Sequence, residues 1–270
     1  MLSGYSNIAS HFDRGKCLWL IGGTSESQSI AAAMARHNLL FYITITTETA
    51  RKLYPKAVQE SVLVRAMNLE QMTHFCRSHR IAAIVDASHP YAIAVSDSAI
   101  MVAQTQNLPY LRYERPCLRR NEDTQVIYLK DFATLLQGQY LMNQRALLTV
   151  GFRPLPLFQS WQNRTTLFAR ILPSQTALDV AINSGFTSNR LMAMRPPISQ
   201  PLEAALWRQW NISMVVTKAS GKAGGEDIKR LVAEELGISL IIIDRPRRIY
   251  PQMTSNIEDV LKFCHQHLSV

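Results

Sequence analysis

A chain of 270 residues that is 47% hydrophobic and 18% charged has material for one large or two small buried cores, and its composition excludes disorder. No apolar run reaches the roughly 18 residues of a membrane-spanning helix, so no membrane partner is expected. The net charge of +9 favours an anionic partner, but the basic residues are spread out apart from 112–120 and 245–248, and no aromatic platform accompanies them, so nucleic acid is not expected.

Residues 1–15 lack the apolar core of a secretion signal and read as a loose N-terminal extension. From 16 onward short apolar runs alternate with amphipathic ones. Strands are predicted over 16–21, 40–46, 62–64 and 81–86, and helices over 25–37, 68–79 and 90–106. The last helix carries Pro90 in its first turn, where a missing N–H costs nothing. The strands lack apolar–polar alternation, the mark of a parallel sheet covered by helices on both faces. Segment 107–140 is less regular, carries RYERPCLRR and is read as the end of a first domain spanning 16–140. Strands over 146–150, 166–171, 190–194, 213–218 and 239–243 come next, interleaved with helices over 174–184, 199–210, 225–236 and 255–267. They define a second domain, 141–270. Two such runs predict an α/β fold of two Rossmann-like, doubly wound parallel-sheet domains.

Cys17, Cys76, Cys117 and Cys264 form no C-x-x-C pair, and Cys17 and Cys76 lie on apolar segments. A reducing cytoplasm is the expectation, and no metal site is expected.

Three loops carry chemistry. In LWLIGGTSES (18–27) a buried strand runs into Gly22-Gly23-Thr24 and then into a helix whose first turn holds Ser25, Glu26 and Ser27. Glycines there let the backbone approach a pyrophosphate, whose charge is met by the helix-start N–H groups. The full G-x-G-x-x-G is absent, and a plain tight turn is the alternative. The end of the second strand, Thr46-Thr47-Glu48-Thr49-Ala50-Arg51, offers both answers to which nicotinamide cofactor is preferred. Its threonines and Arg51 suit the 2′-phosphate of NADPH, while Glu48 keeps NADH open.

DASHPYA (86–92) sets Asp86, Ser88, His89 and Tyr91 at the carboxyl end of a strand, where open α/β sheets bind ligands. Histidine is the side chain that titrates near neutrality, so a site role is favoured over a purely structural turn. The third loop, Thr217-Lys218-Ala219-Ser220-Gly221-Lys222-Ala223-Gly224-Gly225-Glu226, adds lysines to a strand–glycine–helix arrangement suited to an anion. It does not match a Walker A loop.

Taken in order, LWLIGGTSES, DASHPYA, RYERP (112–116), TKASGKAGGEDIK (217–229) and IDRP, ending at Pro246, resemble the precorrin-6A/cobalt-precorrin-6A reductase family of corrin biosynthesis. The resemblance implies an NAD(P)H-dependent reductase that delivers hydride to a double bond of the precorrin-6A macrocycle. It implies two Rossmann-like domains with the substrate in the cleft between them, and a polycarboxylate tetrapyrrole as partner, which gives the surplus of Lys and Arg a reason. On that reading Gly22, Gly23, Thr24, Ser25 and Glu26 hold the pyrophosphate, Thr47 and Arg51 read the adenosine end, and Ser88 lies beside the cofactor. His89, Tyr91 and Asp86 line the nicotinamide side, with His89, Tyr91 or solvent as proton source. Lys218, Ser220, Gly221, Gly224 and Gly225, helped by Arg115, cradle substrate carboxylates.

The chain departs from the family pattern at Arg195-Pro196-Pro197-Ile198-Ser199, where a Gly-Pro-Phe-Ser-like stretch is usual. It departs again at Ala219, where an acidic or amide residue commonly precedes the serine. Whether the substrate contains cobalt stays open, as does the oligomeric state. The rival readings are a nucleotide-sugar transferase or epimerase, for which no clear Tyr-x-x-x-Lys stands in the chain, and a non-catalytic NADPH-sensing protein.

Overall fold

The computed structural model describes residues 15–118 and 124–268, which fall into two compact units. The first comprises the described residues up to 116 together with those from 247 onward, and the second runs from 117 to 246.

The first unit opens with β1 (Cys17–Ile21), α1 (Ser25–Arg36), β2 (Phe41–Ile45), the short α2 (Glu48–Arg51) and β3 (Val62–Val64). It continues through α3 (Leu69–Ser78), β4 (Ile81–Asp86), α4 (Ile93–Thr105) and β5 (Tyr110–Tyr113). The second unit holds β6 (Val126–Leu129), α5 (Phe132–Gln137), β7 (Arg145–Leu148), β8 (Thr166–Ile171), α6 (Gln175–Asn183) and β9 (Leu191–Ala193). Next come α7 (Gln200–Gln209), β10 (Met214–Lys218), α8 (Glu226–Leu236) and β11 (Ser239–Ile243); β12 (Met253–Thr254) and α9 (Ile257–Leu268) then return to the first unit.

The strands form two six-stranded sheets, ordered β12-β5-β4-β1-β2-β3 and β6-β11-β10-β7-β8-β9, with every pairing parallel. Read outward from β1, the first is the 3-2-1-4-5-6 order of a doubly wound dinucleotide-binding sheet. The second repeats it from β7, with the sixth place filled by β6, which precedes β7 in sequence.

Both sheets are buried on both faces, as the uniform strand hydrophobicity predicts. In β1, Leu18 and Leu20 pack with α1 and α9, while Cys17, Trp19 and Ile21 pack with α3 and α4. In the second unit Ala146 and Leu148 join α5 and α6 on one face, and Leu147 joins α7 and α8 on the other. The helices start where the sequence supplies caps. Thr24 and Ser27 make a reciprocal capping box on α1, Asn68 and Gln71 make one on α3, and Ser174 caps α6, each contributing about 1 kcal/mol.

Four expectations are corrected. The segment read as irregular contains β5, β6 and α5, too short for periodicity to reveal. The boundary expected at 140 lies nearer 116, because β6 pairs with β11. The last helix, assigned to the second domain, belongs to the first. Met253 and Thr254 pair with Arg112 and Tyr113 of β5, and Val260, Leu261, Phe263 and Cys264 bury against the α1 face. Finally, α4 begins at Ile93, not Pro90; the Ala92 N–H donates to the His89 carbonyl (2.7 Å), making a separate turn that carries Pro90 and Tyr91. No described helix is long and apolar enough to cross a membrane.

Candidate functional site

In the first sheet, β1 and β4 are neighbours whose connections leave in opposite directions, so the loops after them flank a topological switch point. These are Gly22–Thr24 and Ala87–Ala92. Tyr54, which the sequence reading missed, fixes the first of them. Its side chain is buried, and its hydroxyl accepts from the Gly23 N–H (2.9 Å). The same hydroxyl lies 2.7 Å from Ser27 Oγ. Ser27 Oγ donates to the Thr24 carbonyl (2.7 Å) and accepts from the Gly23 and Thr24 N–H groups (3.1 and 3.0 Å), so the phenol donates to it. Burial raises the Tyr54 pKa, partly offset by the Gly23 N–H that its oxygen accepts, and the phenol stays protonated at neutral pH.

This geometry revises the expected pyrophosphate cradle. The Gly22 N–H donates to the Thr44 carbonyl (2.9 Å), and those of Gly23 and Thr24 point inward to Ser27 and Tyr54. The remaining first-turn donors are the Ser25 and Glu26 amides of α1, which have no acceptor among the described residues. Gly22 is needed because a Cβ there would collide with the Tyr54 hydroxyl. Gly23 serves the other side: at φ +103°, the space its Cβ would occupy is open, with nothing within 4 Å. Open space beside partnerless helix-start amides is what a dinucleotide phosphate needs, so the residues present fit a nicotinamide cofactor. Thr24 Oγ1 ties the two loops together by donating to the Ala87 carbonyl (2.9 Å).

The second loop rests on a buried ionic network. The Asp86 carboxylate, fully buried, accepts from the Ser88 N–H (2.9 Å), Ser96 Oγ (2.6 Å), Tyr110 Oη (2.7 Å) and Arg112 Nη1 (2.9 Å). Arg112, 1% exposed, also donates to Ser88 Oγ (3.0 Å) and to Glu114 (2.9 Å from Nε). Four donors thus enclose the carboxylate of Asp86, which was expected on the nicotinamide side. Ser88, expected beside the cofactor, is buried and bonded into the same network. His89 and Tyr91 do come together: His89 is exposed, Tyr91 half-buried, and their ring centroids lie 5.8 Å apart. The Tyr91 N–H donates to His89 Nδ1 (3.3 Å), which assigns the proton of the neutral imidazole to Nε2.

Arg115, expected to help hold substrate carboxylates, lies in the first unit, where its Nη1 is 3.1 Å from Glu26 Oε1, both largely buried. Thr24, Glu26, Ser88, Arg112 and Arg115 line a small cavity at the switch point. At the end of β2, Thr47 caps α2 by accepting from the Ala50 N–H (3.3 Å), and Arg51 pairs with the more exposed Glu48 (2.9 Å).

In the second unit the loop after β10 is held by charges beneath it. The Gly221 N–H donates to Glu226 Oε2 (2.8 Å), whose other oxygen accepts from Arg230 Nη2 (2.7 Å); Arg230 Nη2 also reaches Tyr128 Oη (2.6 Å). Gly221, at φ 66° and ψ −171°, adopts a conformation open essentially to glycine. Gly224 is also obligatory, since a Cβ there would collide with Ser220 Oγ. Lys229, another residue missed in the sequence, is 3% exposed and donates to the Gly224 and Gly225 carbonyls (2.8 and 3.0 Å). Burial, then the charge of Arg170, press its ammonium down to about 8. The departure at Ala219 has a packing reason: it is buried in the cluster holding Trp207 and Val232. Among the described residues no group of three or more His, Cys, Asp or Glu is placed to hold a metal.

Fold and site thus define a class: an α/β protein of two doubly wound sheets, each with a glycine-bearing loop between a central strand and a helix, the second of these loops carrying lysines. The sequence model of the precorrin-6x reductase CbiJ/CobK family matches residues 17–265, and the chain belongs to that family. It is 44% identical over 254 residues to a cobalt-precorrin-6A reductase of Synechocystis sp., covering 93% of this chain and 97% of the relative. A precorrin-6A reductase of Rhodococcus erythropolis is 29% identical over 245 residues, covering 89% of this chain and 93% of the relative. Among solved structures, a CobK precorrin-6A reductase superposes with a TM-score of 0.77 at 19% identity, covering 93% of this chain and 97% of its own, and so shares the fold.

Proposed function

We propose that this chain is a precorrin-6A reductase acting on the cobalt-containing macrocycle with NADPH. The observation that carries the reading is the 44% identity, over nearly the whole of both chains, to a relative named cobalt-precorrin-6A reductase. Reduction of a carbon–carbon double bond needs a hydride, which a bound nicotinamide supplies, and a proton; the protein contributes binding, orientation and electrostatics.

The open side of Gly23 and the Ser25 and Glu26 amides support cofactor binding at the first switch point. Thr47 and Arg51 at the end of β2 support the 2′-phosphate form, with Glu48 neutralised by its pair with Arg51. His89 in its imidazolium form donates the proton, with Tyr91 beside it; Asp86, Ser88 and Arg112 keep that loop in place. Lys218, Ser220, Gly221, Gly224 and Gly225 hold carboxylates of the tetrapyrrole, on the frame provided by Glu226 and Lys229. A cytoplasmic location is supported by the buried free thiols of Cys17, Cys76 and Cys264; burial pushes the last two up to about 12, so they stay protonated.

The test is nicotinamide oxidation by the purified protein, with NADPH and NADH, and with cobalt-precorrin-6A and its metal-free counterpart. Turnover with NADPH and the cobalt form is expected. Cofactor binding without turnover on either macrocycle would overturn the reading.

A further inference from the structure

Tyr54 joins two stretches of the first unit that are distant in sequence. The loop after β1 is tied to the region of β2 twice. The Gly22 N–H donates to the Thr44 carbonyl (2.9 Å), and the Gly23 N–H donates to the Tyr54 hydroxyl (2.9 Å). Tyr54 itself closes a run of turns that carries Thr47 and Arg51. The Ala50 N–H donates to the Thr47 carbonyl (3.0 Å), the Leu53 N–H to the Ala50 carbonyl (3.1 Å) and the Tyr54 N–H to the Arg51 carbonyl (3.1 Å). The Tyr54 carbonyl in turn accepts from Gln59 Nε2 (3.1 Å). Its ring is buried in the cluster that holds Ile43 and Val58, and its hydroxyl reaches from there to Gly23 and Ser27. The fit is tight, because a Cβ on Gly22 would strike that hydroxyl.

A site that must meet two phosphate groups of one ligand gains affinity when the spacing of its halves is set before binding, since ordering them on binding costs free energy. The Ser25 and Glu26 amides lie on one of the joined segments and Arg51 on the other. We propose that Tyr54 is a positioning residue for cofactor choice, its hydroxyl holding the segment of Thr47 and Arg51 in place beside the loop of Gly23 so that one dinucleotide meets both. The inference rests on the NADPH reading of that segment and deepens it. Tyr54 is 2% exposed, so it acts through Arg51 and the loop.

Tyr54→Phe removes the hydroxyl, keeps a ring in the cluster and leaves Ser27 Oγ as acceptor of the Gly23 N–H. Binding is read from nicotinamide fluorescence with the full chain and no macrocycle, so the result does not depend on turnover. Kd for NADPH should rise about tenfold and Kd for NADH about threefold or less, which lowers the preference for the phosphorylated form. In an Arg51→Ala background the same substitution should act equally on both cofactors, because the residue being positioned is gone. In ligand-free protein carrying isotope-labelled glycine, the Gly23 amide should exchange with solvent about tenfold faster in Tyr54→Phe. An equal loss for NADPH and NADH with Arg51 in place makes Tyr54 a support of the loop alone and overturns the inference, while the NADPH reading stands. An unchanged Gly23 exchange, or a preference that still shifts in the Arg51→Ala background, overturns it too. A wild-type chain that binds neither nicotinamide, or prefers NADH, overturns the NADPH reading and the inference with it.

Discussion

The two sheets share one strand order but differ in the charge of the loops that leave their strands. In the first, the switch-point loops carry mixed charge: Glu26 with Arg115 after β1 and β5, Glu48 with Arg51 after β2, and Asp86 with Arg112 at β4 and β5. In the second, Arg153, Lys218, Lys222 and Arg245 lie on the loops of the corresponding edge together with Asp131, Asp227 and Asp244; of the acids there, Asp131 caps α5 and Glu226 bonds the loop from beneath. The shared topology sets where ligand loops lie, and their chemistry decides which ligand is taken. On the proposed function, the cofactor's phosphates meet the helix-start amides of the first edge and the carboxylates of the macrocycle meet the second.

The comparison can be broken at its most buried point. Asp86→Ala leaves Arg112 buried without its main partner, and unfolding by denaturant should show a loss of about 3–5 kcal/mol. A loss below about 1 kcal/mol would mean that the network does not anchor the loop. His89→Ala should lower kcat by about 100-fold with an unchanged melting temperature, because His89 is exposed. If kcat stays within about threefold of wild type, the proton comes from Tyr91 or from water.

A paired substitution sharpens the division of labour between the sheets. Gly22→Ala and Gly224→Ala each force a methyl group onto a neighbouring hydroxyl, at about 1–3 kcal/mol of stability. The first should raise KM for NADPH and the second KM for the tetrapyrrole. Crossed effects in steady-state kinetics would dissolve the comparison. The smallest change is expected from Arg51→Ala, whose pair with Glu48 is too exposed to contribute more than about 1 kcal/mol. It should raise KM for NADPH about fivefold and leave that for NADH unchanged. Equal effects on both cofactors would remove Arg51 from phosphate recognition.

Much of this was legible in the chain. Uniformly apolar strands alternating with amphipathic helices announced two parallel sheets, and the loops at 22–26, 86–92 and 217–226 stand at the carboxyl ends of their strands as expected. Three things were not legible, each for a physical reason. β12 has two residues, below the length at which periodicity carries information, so the return of α9 to the first sheet was hidden. The Asp86 carboxylate looks the same in sequence whether water or Arg112 surrounds it; a packed partner 26 residues away decides its role. Tyr54, 31 residues beyond Gly23, lies outside every motif, yet it and Ser27 consume the glycine-loop amides that a motif reading assigns to phosphate.

The most direct measurement is the fate of the label from NADPH deuterated at nicotinamide C4, with cobalt-precorrin-6A as acceptor and mass spectrometry of the tetrapyrrole. The account predicts a dihydro product that carries one deuterium from the cofactor and one hydrogen from solvent. Oxidation of the cofactor with the macrocycle unchanged, or a reduced macrocycle without deuterium, would contradict hydride transfer by this protein.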